Sequence, residues 1–290
     1  MKLSRLYREI IKFGASLDPR RGQKISAYPD TAILYGRPDT EVKKILVGID
    51  IDPSEVLLAD RIRERQGLDL VLAHHPEGRA WAGFYAVMQL QVDMLAKAGI
   101  DRKVAQQLLD ERQQEVERRV MSQNHMRSVD VARLLELPFI CVHTPADNHV
   151  SDFIYKLIGK EKPKKLEDIV RILKKVPEYQ DAEREQAGPR IIVGNPKGAV
   201  GKVFVEMTGG TEGSKEVFDK FYKLGIRTLI CMHMSEEHFK KVKDVNLNVV
   251  IAGHISSDTL GLNLLLDRVE KAGKEKFQVI SCSGFRRIRR

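Results

Sequence analysis

The chain is poor in cysteine, poor in aromatic residues and without a long apolar run. Three cysteines, Cys141, Cys231 and Cys282, each sit inside a strand-like apolar stretch, and their spacing excludes both a disulfide framework and a four-thiolate zinc site. Reduced, buried thiols in a cytoplasmic protein are the expectation. No window approaches eighteen uninterrupted apolar residues, so no membrane-spanning helix is expected. The first eleven residues lack the continuous apolar core of a secretion signal and read as an amphipathic helix. No serine or cysteine stands in a recognisable nucleophile setting. The glycine-bearing stretch 194–202 is no phosphate loop: its spacing is wrong, Val203 follows the lysine, and a strand follows where a helix is required.

What remains is ordinary globular composition, with 42% hydrophobic residues over 290 positions, enough for one large α/β domain or two smaller ones. The net charge of +9 comes from lysine and arginine interspersed with acids, which describes a solvated surface better than a nucleic-acid footprint. The one dense basic block, residues 286–290, reads as a solvated tail. Nucleic acid is therefore not an expected partner.

Strand and helix signals alternate. Residues 42–49 read as a strand. A helix opens at Asp52-Pro53-Ser54-Glu55, with a cap, a first-turn proline and an acid just inside, and ends at Gly67. The strand 68–75 completes a βαβ unit, so the two strands should be parallel. Residues 77–136 form a helical insertion, with helices expected over 81–99, 102–119 and 128–135. The very polar middle one reads as a solvated arm or an oligomer contact. Residues 159–189 carry a lysine-rich helix over 166–175 and a polar loop, and that loop is the expected linker or domain edge. Strands return at 190–193 and 201–207, then at the runs ending in His233 and His254, and last at 277–282, with helices expected over 212–224, 236–243 and 257–271. The loop Gly209 to Gly213 precedes one of these helices, so its amides suit an anion about as well as a plain turn does. The expected fold is α/β: mixed or parallel sheets flanked by helices. Residues 1–158 with 230–290 would form the metal-binding part, and 159–229 a smaller second part.

Five of the eight histidines end four apolar runs. Asp69-Leu70-Val71-Leu72-Ala73 enters His74-His75-Pro76; three further runs enter His143, His233 and His254. Ligands of parallel α/β sheets gather beyond the carboxyl ends of the strands. Asp147 and Asp258, in the turns that follow His143 and His254, stand at the same four-residue offset, so each pair can converge if the turn or first helical coil brings the aspartate back over the histidine. A lone strand-end histidine is usually a hydrogen-bonded core or edge residue; five, with two matched carboxylates, point to metal at one sheet edge. The candidate cluster is His74, His75, His143, Asp147, His254 and Asp258. Imidazole with carboxylate suits zinc, iron or manganese. Adjacent histidines of a strand face opposite sides, so His74 and His75 imply two ions or a bent strand end. His233, after which Glu236, Glu237 and His238 open the next helix, is weighed evenly as a neighbour of the metals. Glu77 is a candidate for moving protons. His125 could reach the site, and His149 reads as a turn residue.

These motifs, with Asp30-Thr31-Ala32-Ile33-Leu34-Tyr35-Gly36, Lys44 to Asp50, His143-Thr144-Pro145-Ala146-Asp147 and Gly253-His254-Ile255-Ser256-Ser257-Asp258, resemble the Nif-three-like dinuclear metal family, often labelled GTP cyclohydrolase 1 type 2 homologues. The resemblance spans residues 30–258 in order. It implies a Nif-three-like fold, a two-part subunit assembled into a homo-oligomer, and two divalent transition-metal ions held by His74, His75, Asp147, His254 and Asp258. His143, His233 and Glu77 then take outer positions. Two departures stand out: Asp258 replaces the usual glutamate, and the interval from His75 to His143 is long. The function so implied is a metal-dependent hydrolase of a small, nucleotide-like or phosphorylated substrate. The alternative is a non-catalytic metal-binding, regulatory or protein-interaction module.

Overall fold

The computed structural model describes residues 1–20 and 22–290. Two sheets form the frame. The first has the order β1 (Thr31–Tyr35), β4 (Phe139–Val142), β3 (Leu70–Ala73), β2 (Lys44–Gly48), β9 (Gln278–Ser281). Its members are parallel apart from β1, which runs antiparallel to β4. β3 and β4 are buried along their whole length, as continuous apolar runs require of central parallel strands. The second sheet has the order β5 (Arg190–Val193), β8 (Asn248–Ile251), β7 (Ile226–Cys231), β6 (Lys202–Glu206), with β5 the antiparallel edge. The expected βαβ unit is present: β2 and β3 pair in parallel across α2 (Pro53–Gln66). Glu55 accepts the Asp52 N–H at 3.0 Å at its start, and Gly67 closes it at φ 74°.

The four histidine-bearing strands therefore belong to two sheets, not to one edge. β3 and β4 are in the first; β7 and β8 are in the second, because β8 pairs with β5 and β7. The sheet membership of β8 also cuts across the division drawn at residues 229 and 230. Between the two sheets lie α7 (Thr144–Glu161) and α12 (His254–Gly273), whose apolar residues enter the core clusters of both. They approach closely: a Cβ on Gly261 would sit 2.5 Å from the Ala146 carbonyl oxygen. α1 (Leu3–Leu17) covers the first sheet through Leu3, Leu6 and Ile10.

The insertion differs from its expected form in two ways. The helix read over 81–99 is broken at Gly83 into α3 (Gly78–Ala82), a 3-10 segment (Phe84–Gln89) and α4 (Leu90–Ala98). The polar helix is α5 (Arg102–Met121), and it is no solvated arm. Ala105, Leu109, Val116 and Val120 pack with Phe84, Met88 and Leu95, and with Phe218, Phe221 and Leu229 from the second sheet's side. One buried residue per turn is enough to dock a helix whose other faces are charged. α6 (Arg127–Leu134) completes the insertion and packs against α2.

The lysine-rich helix read over 166–175 is present, and the polar loop after it, the expected linker, is also folded. α8 (Leu166–Leu173) and α9 (Pro177–Arg184) bury Leu166, Ile169, Leu173 and Tyr179 against the second sheet. Its polar look reflects an amphipathic helix seen without its partner. The 212–224 helix shortens to α10 (Val217–Lys223), leaving 208–216 irregular. α11 (Glu236–Asp244) then precedes β8. No helix among the described residues is long and apolar enough to cross a membrane.

Candidate metal centre

β3 delivers His74 and His75 into a bend. The His74 amide donates to Gly48 O at 2.9 Å and Ile49 O at 3.2 Å, and the His75 amide donates to Ile49 O at 2.9 Å. Pro76 follows, where a further ladder donor is impossible. The bend lets both rings reach the same side, with centroids 5.3 Å apart. His143 caps α7, and Asp147 lies in that helix's first turn. His254 opens α12, with Asp258 one turn on. What reads as two turns is in both cases the start of a helix, which makes each four-residue offset a pair on one helical face.

Two groups of ligand atoms form within 4.8 Å of one another: His74, His143 and Asp147, and His74, His75 and Asp258. His74 Nε2 lies 3.4 Å from both Asp147 Oδ1 and Asp258 Oδ1. His75 Nε2 lies 3.4 Å, and His254 Nε2 3.5 Å, from Asp258 Oδ2. His254 thus stands beside the second group, while His143, read as an outer residue, is inside the first.

The Nδ1 atoms of three imidazoles are already engaged, and that of His143 also lies 3.4 Å from Asp147 Oδ2. His74 Nδ1 bonds Val142 O at 3.0 Å, His75 Nδ1 bonds Asp50 at 2.6 Å, and His143 Nδ1 bonds Asp30 at 2.9 Å. Such partners orient a metal-ligating ring and make it a better donor. Asp30 also accepts the Thr144 hydroxyl at 2.6 Å, so it fixes the start of α7 as well. The inner atoms are left over: His74 Nε2, Asp147 Oδ1 and both Asp258 oxygens are buried with no well-formed hydrogen bond among the described residues. Four such atoms around His74 would carry a large desolvation penalty in an apolar core. A cation among them removes it, so nitrogen and carboxylate donors of this kind fit a divalent transition metal.

The electrostatics agree. Burial opposes charge on His74, yet Asp258 and Asp147 raise it to about 10. His75 is raised to about 9 by Asp258 and Asp50 against its own burial. Burial works against the charge on Asp258, yet His74 and His75 hold it far below the usual carboxylate range. His254, buried and beside other imidazoles, falls to about 4. The negative field of Asp258 and Asp147 that favours positive charge at His74 also attracts a cation.

The second sheet supplies the opposite wall. His233 follows β7, its ring 4.7 Å from that of His254 and its Nδ1 3.8 Å from Glu212. His238 is buried, bonding Ser235 Oγ at 2.8 Å and Gly213 O at 3.0 Å. The irregular loop around Glu212 is not a helix terminus; the insertion clamps it. Gln91 Nε2 donates to Gly209 O at 2.8 Å and Thr211 O at 2.7 Å, and Arg112 Nε donates to Glu212 O at 3.1 Å. A cleft of about 440 Å3 opens over the cluster, lined by His75, His143, His233 and His254 on one side and by insertion residues including Trp81 and Arg127 on the other. Glu77 and His125 line it too, and burial pushes Glu77 up to about 7. His149 is not a turn residue: it is buried in α7, bonding Pro145 O at 2.6 Å and Arg268 at 3.1 Å.

Sequence reasoning missed Asp50 as a site residue, although it follows β2 as His75 follows β3 and so occupies the same strand edge. Asp30 and Glu212 carried no such signal, because each reaches the site from an irregular segment.

The chain is similar to the crystal structure of a NIF3 superfamily protein from Sphaerobacter thermophilus, at 26% identity and TM-score 0.77, over 95% of this chain and 97% of that one. Reduced HcgD from Methanocaldococcus jannaschii shares the fold at 16% identity and TM-score 0.57, over 97% of each chain. So does the hypothetical protein SA1388 of Staphylococcus aureus, at 14% identity and TM-score 0.52, over 97% and 96%. No family model and no curated protein matches the sequence.

Proposed function

For a chain with the NIF3 superfamily fold, we propose a dinuclear metal-dependent hydrolase acting on a small molecule. The observation that carries this is the set of buried atoms of His74, Asp147 and Asp258, without well-formed hydrogen bonds, at the floor of an open cleft. His74, His143 and Asp147 would hold one ion, and His75, Asp258 and His254 a second. Zinc, iron or manganese held there supplies Lewis acidity for hydrolysis. The chain's own residues do the rest. Asp50 and Asp30 orient His75 and His143. Trp81 and Phe84, ring centroids 5.0 Å apart, form an apolar flank that excludes water from one side of the cleft. Glu77, lining the cleft near neutral pKa, is suited to hold or release a proton at its carboxyl. Homo-oligomeric assembly is part of the proposal.

The alternative is a metal-binding module without turnover. It is favoured by the complete burial of His74, which would let an ion there brace the junction of both sheets. Metal analysis followed by a hydrolysis screen tests both. We expect about two transition-metal ions per chain, lost together in the double variant His74→Ala, His75→Ala. Absence of metal at neutral pH would sink both readings. Bound metal without turnover of any nucleotide, phosphoester, amide or lactone substrate would favour the module.

A further inference from the structure

The proposed hydrolase leaves the substrate open, and the insertion's side of the cleft narrows it. Among the described residues Arg127 is the only lysine or arginine lining that cleft. Its guanidinium makes no ion pair or hydrogen bond with them, and its charge acts on Glu77 of the same cleft. Ser128, the next residue, is buried, and its hydroxyl lies beside the Glu77 carboxyl without a hydrogen bond of good geometry. Trp81 stands on the same side, its indole nitrogen donating to Gln123 at 3.0 Å, which fixes the plane of the ring. A planar fork of donors, a buried hydroxyl and a fixed flat wall are the complement of a carboxylate on a flat body. Asp50, Asp52 and Glu77 line the same cleft and set an upper limit on charge: a polyphosphate would meet three carboxylates.

We infer that Arg127 and Ser128 form the anion-receiving end of the substrate cleft and Trp81 its flat wall, so that the substrate is a small planar molecule bearing one carboxylate-like anion. The inference rests on the hydrolase reading for the word substrate, though not for the subsite itself. It makes the helical insertion the specificity element of the protein. It also runs against the overall +9 charge as a guide to substrate, since only one of the many surface cations faces the cleft.

Trp81 is the chain's single tryptophan, so its fluorescence reports on this cleft alone. Metal-loaded protein is titrated with benzoate, with its neutral isostere benzamide and with inorganic pyrophosphate. Benzoate should change Trp81 fluorescence saturably, and Arg127→Gln should weaken it about tenfold or more, the cost of one charge-assisted pair. Arg127→Lys should recover part of that loss, and benzamide should not distinguish the variants. Unchanged benzoate affinity in Arg127→Gln, no saturable response in the native protein, an equal loss for benzamide, or pyrophosphate binding tighter than benzoate would each overturn the inference. Metal content and melting temperature are measured on the same samples. Arg127-dependent benzoate binding in protein that takes up no metal would overturn the hydrolase reading and leave the anion subsite standing.

Discussion

At the scale of single residues, the site is decided by which nitrogen of each histidine is already taken. Asp50 occupies His75 Nδ1 and leaves Nε2 facing the cluster. Asp50→Asn keeps the shape and weakens that hold, so metal affinity should fall about 10–100-fold with little change in fold. Competition titration against a chelator measures this, and unchanged affinity would remove Asp50 from the site. A second residue-scale device lies away from the cleft. Asp18 is buried, accepting from Arg20 N at 2.8 Å, Arg20 Nε and Nη2 at 2.9 Å, and Tyr28 at 2.8 Å. Burial works to raise its pKa, but these donors prevail and hold it below the usual carboxylate range. Its contribution is therefore present above the unfolded value, about 3.9, and is lost as pH falls through the folded one. Asp18→Asn should cost about 1–3 kcal/mol at neutral pH, and the gap to the native protein should close as pH drops below about 4. Denaturant melts at several pH values test the sign; a gap that widens on acidification contradicts it.

At the scale of elements, the insertion is a structural bridge. α5 looks solvated in sequence because only Ala105, Leu109, Val116 and Val120 are apolar and buried on a helix otherwise rich in charge. They meet Phe218 and Phe221 of α10, more than ninety residues further along. No local pattern reveals a partner that distant. Leu109→Ala should destabilise the protein by about 2–5 kcal/mol, whereas a free arm would tolerate it. Calorimetric unfolding decides between these outcomes. Through Gln91 and Arg112 the same bridge holds the loop that carries Glu212, so packing faults in the insertion should reach the cleft.

At the scale of the whole molecule, the basic tail is a clasp. Arg290 meets the buried Glu178 of α9 at 2.8 and 2.5 Å, and Arg287 and Arg289 meet Glu270 of α12 at 3.0 and 3.2 Å. The expectation of a solvated tail fails because Glu178 and Glu270 are buried and need counter-charges. Arg290→Gln strands the Glu178 carboxylate, and we expect a loss of about 3 kcal/mol; an unchanged melting temperature would show the tail to be incidental. The sequence by itself determined the strand-end histidines, the helical offsets to Asp147 and Asp258, the capped α2 and the parallel βαβ unit. These depend on periodicity and on neighbours a few residues away, which the chain spells out locally. Only the tertiary structure decided that the histidines come from two sheets, that His143 sits inside the first ligand group with His254 beside the second, and that the insertion supplies the cleft's other wall. Those outcomes depend on burial and charge between segments up to a hundred residues or more apart. Local pattern carries no record of which distant partner satisfies a buried group.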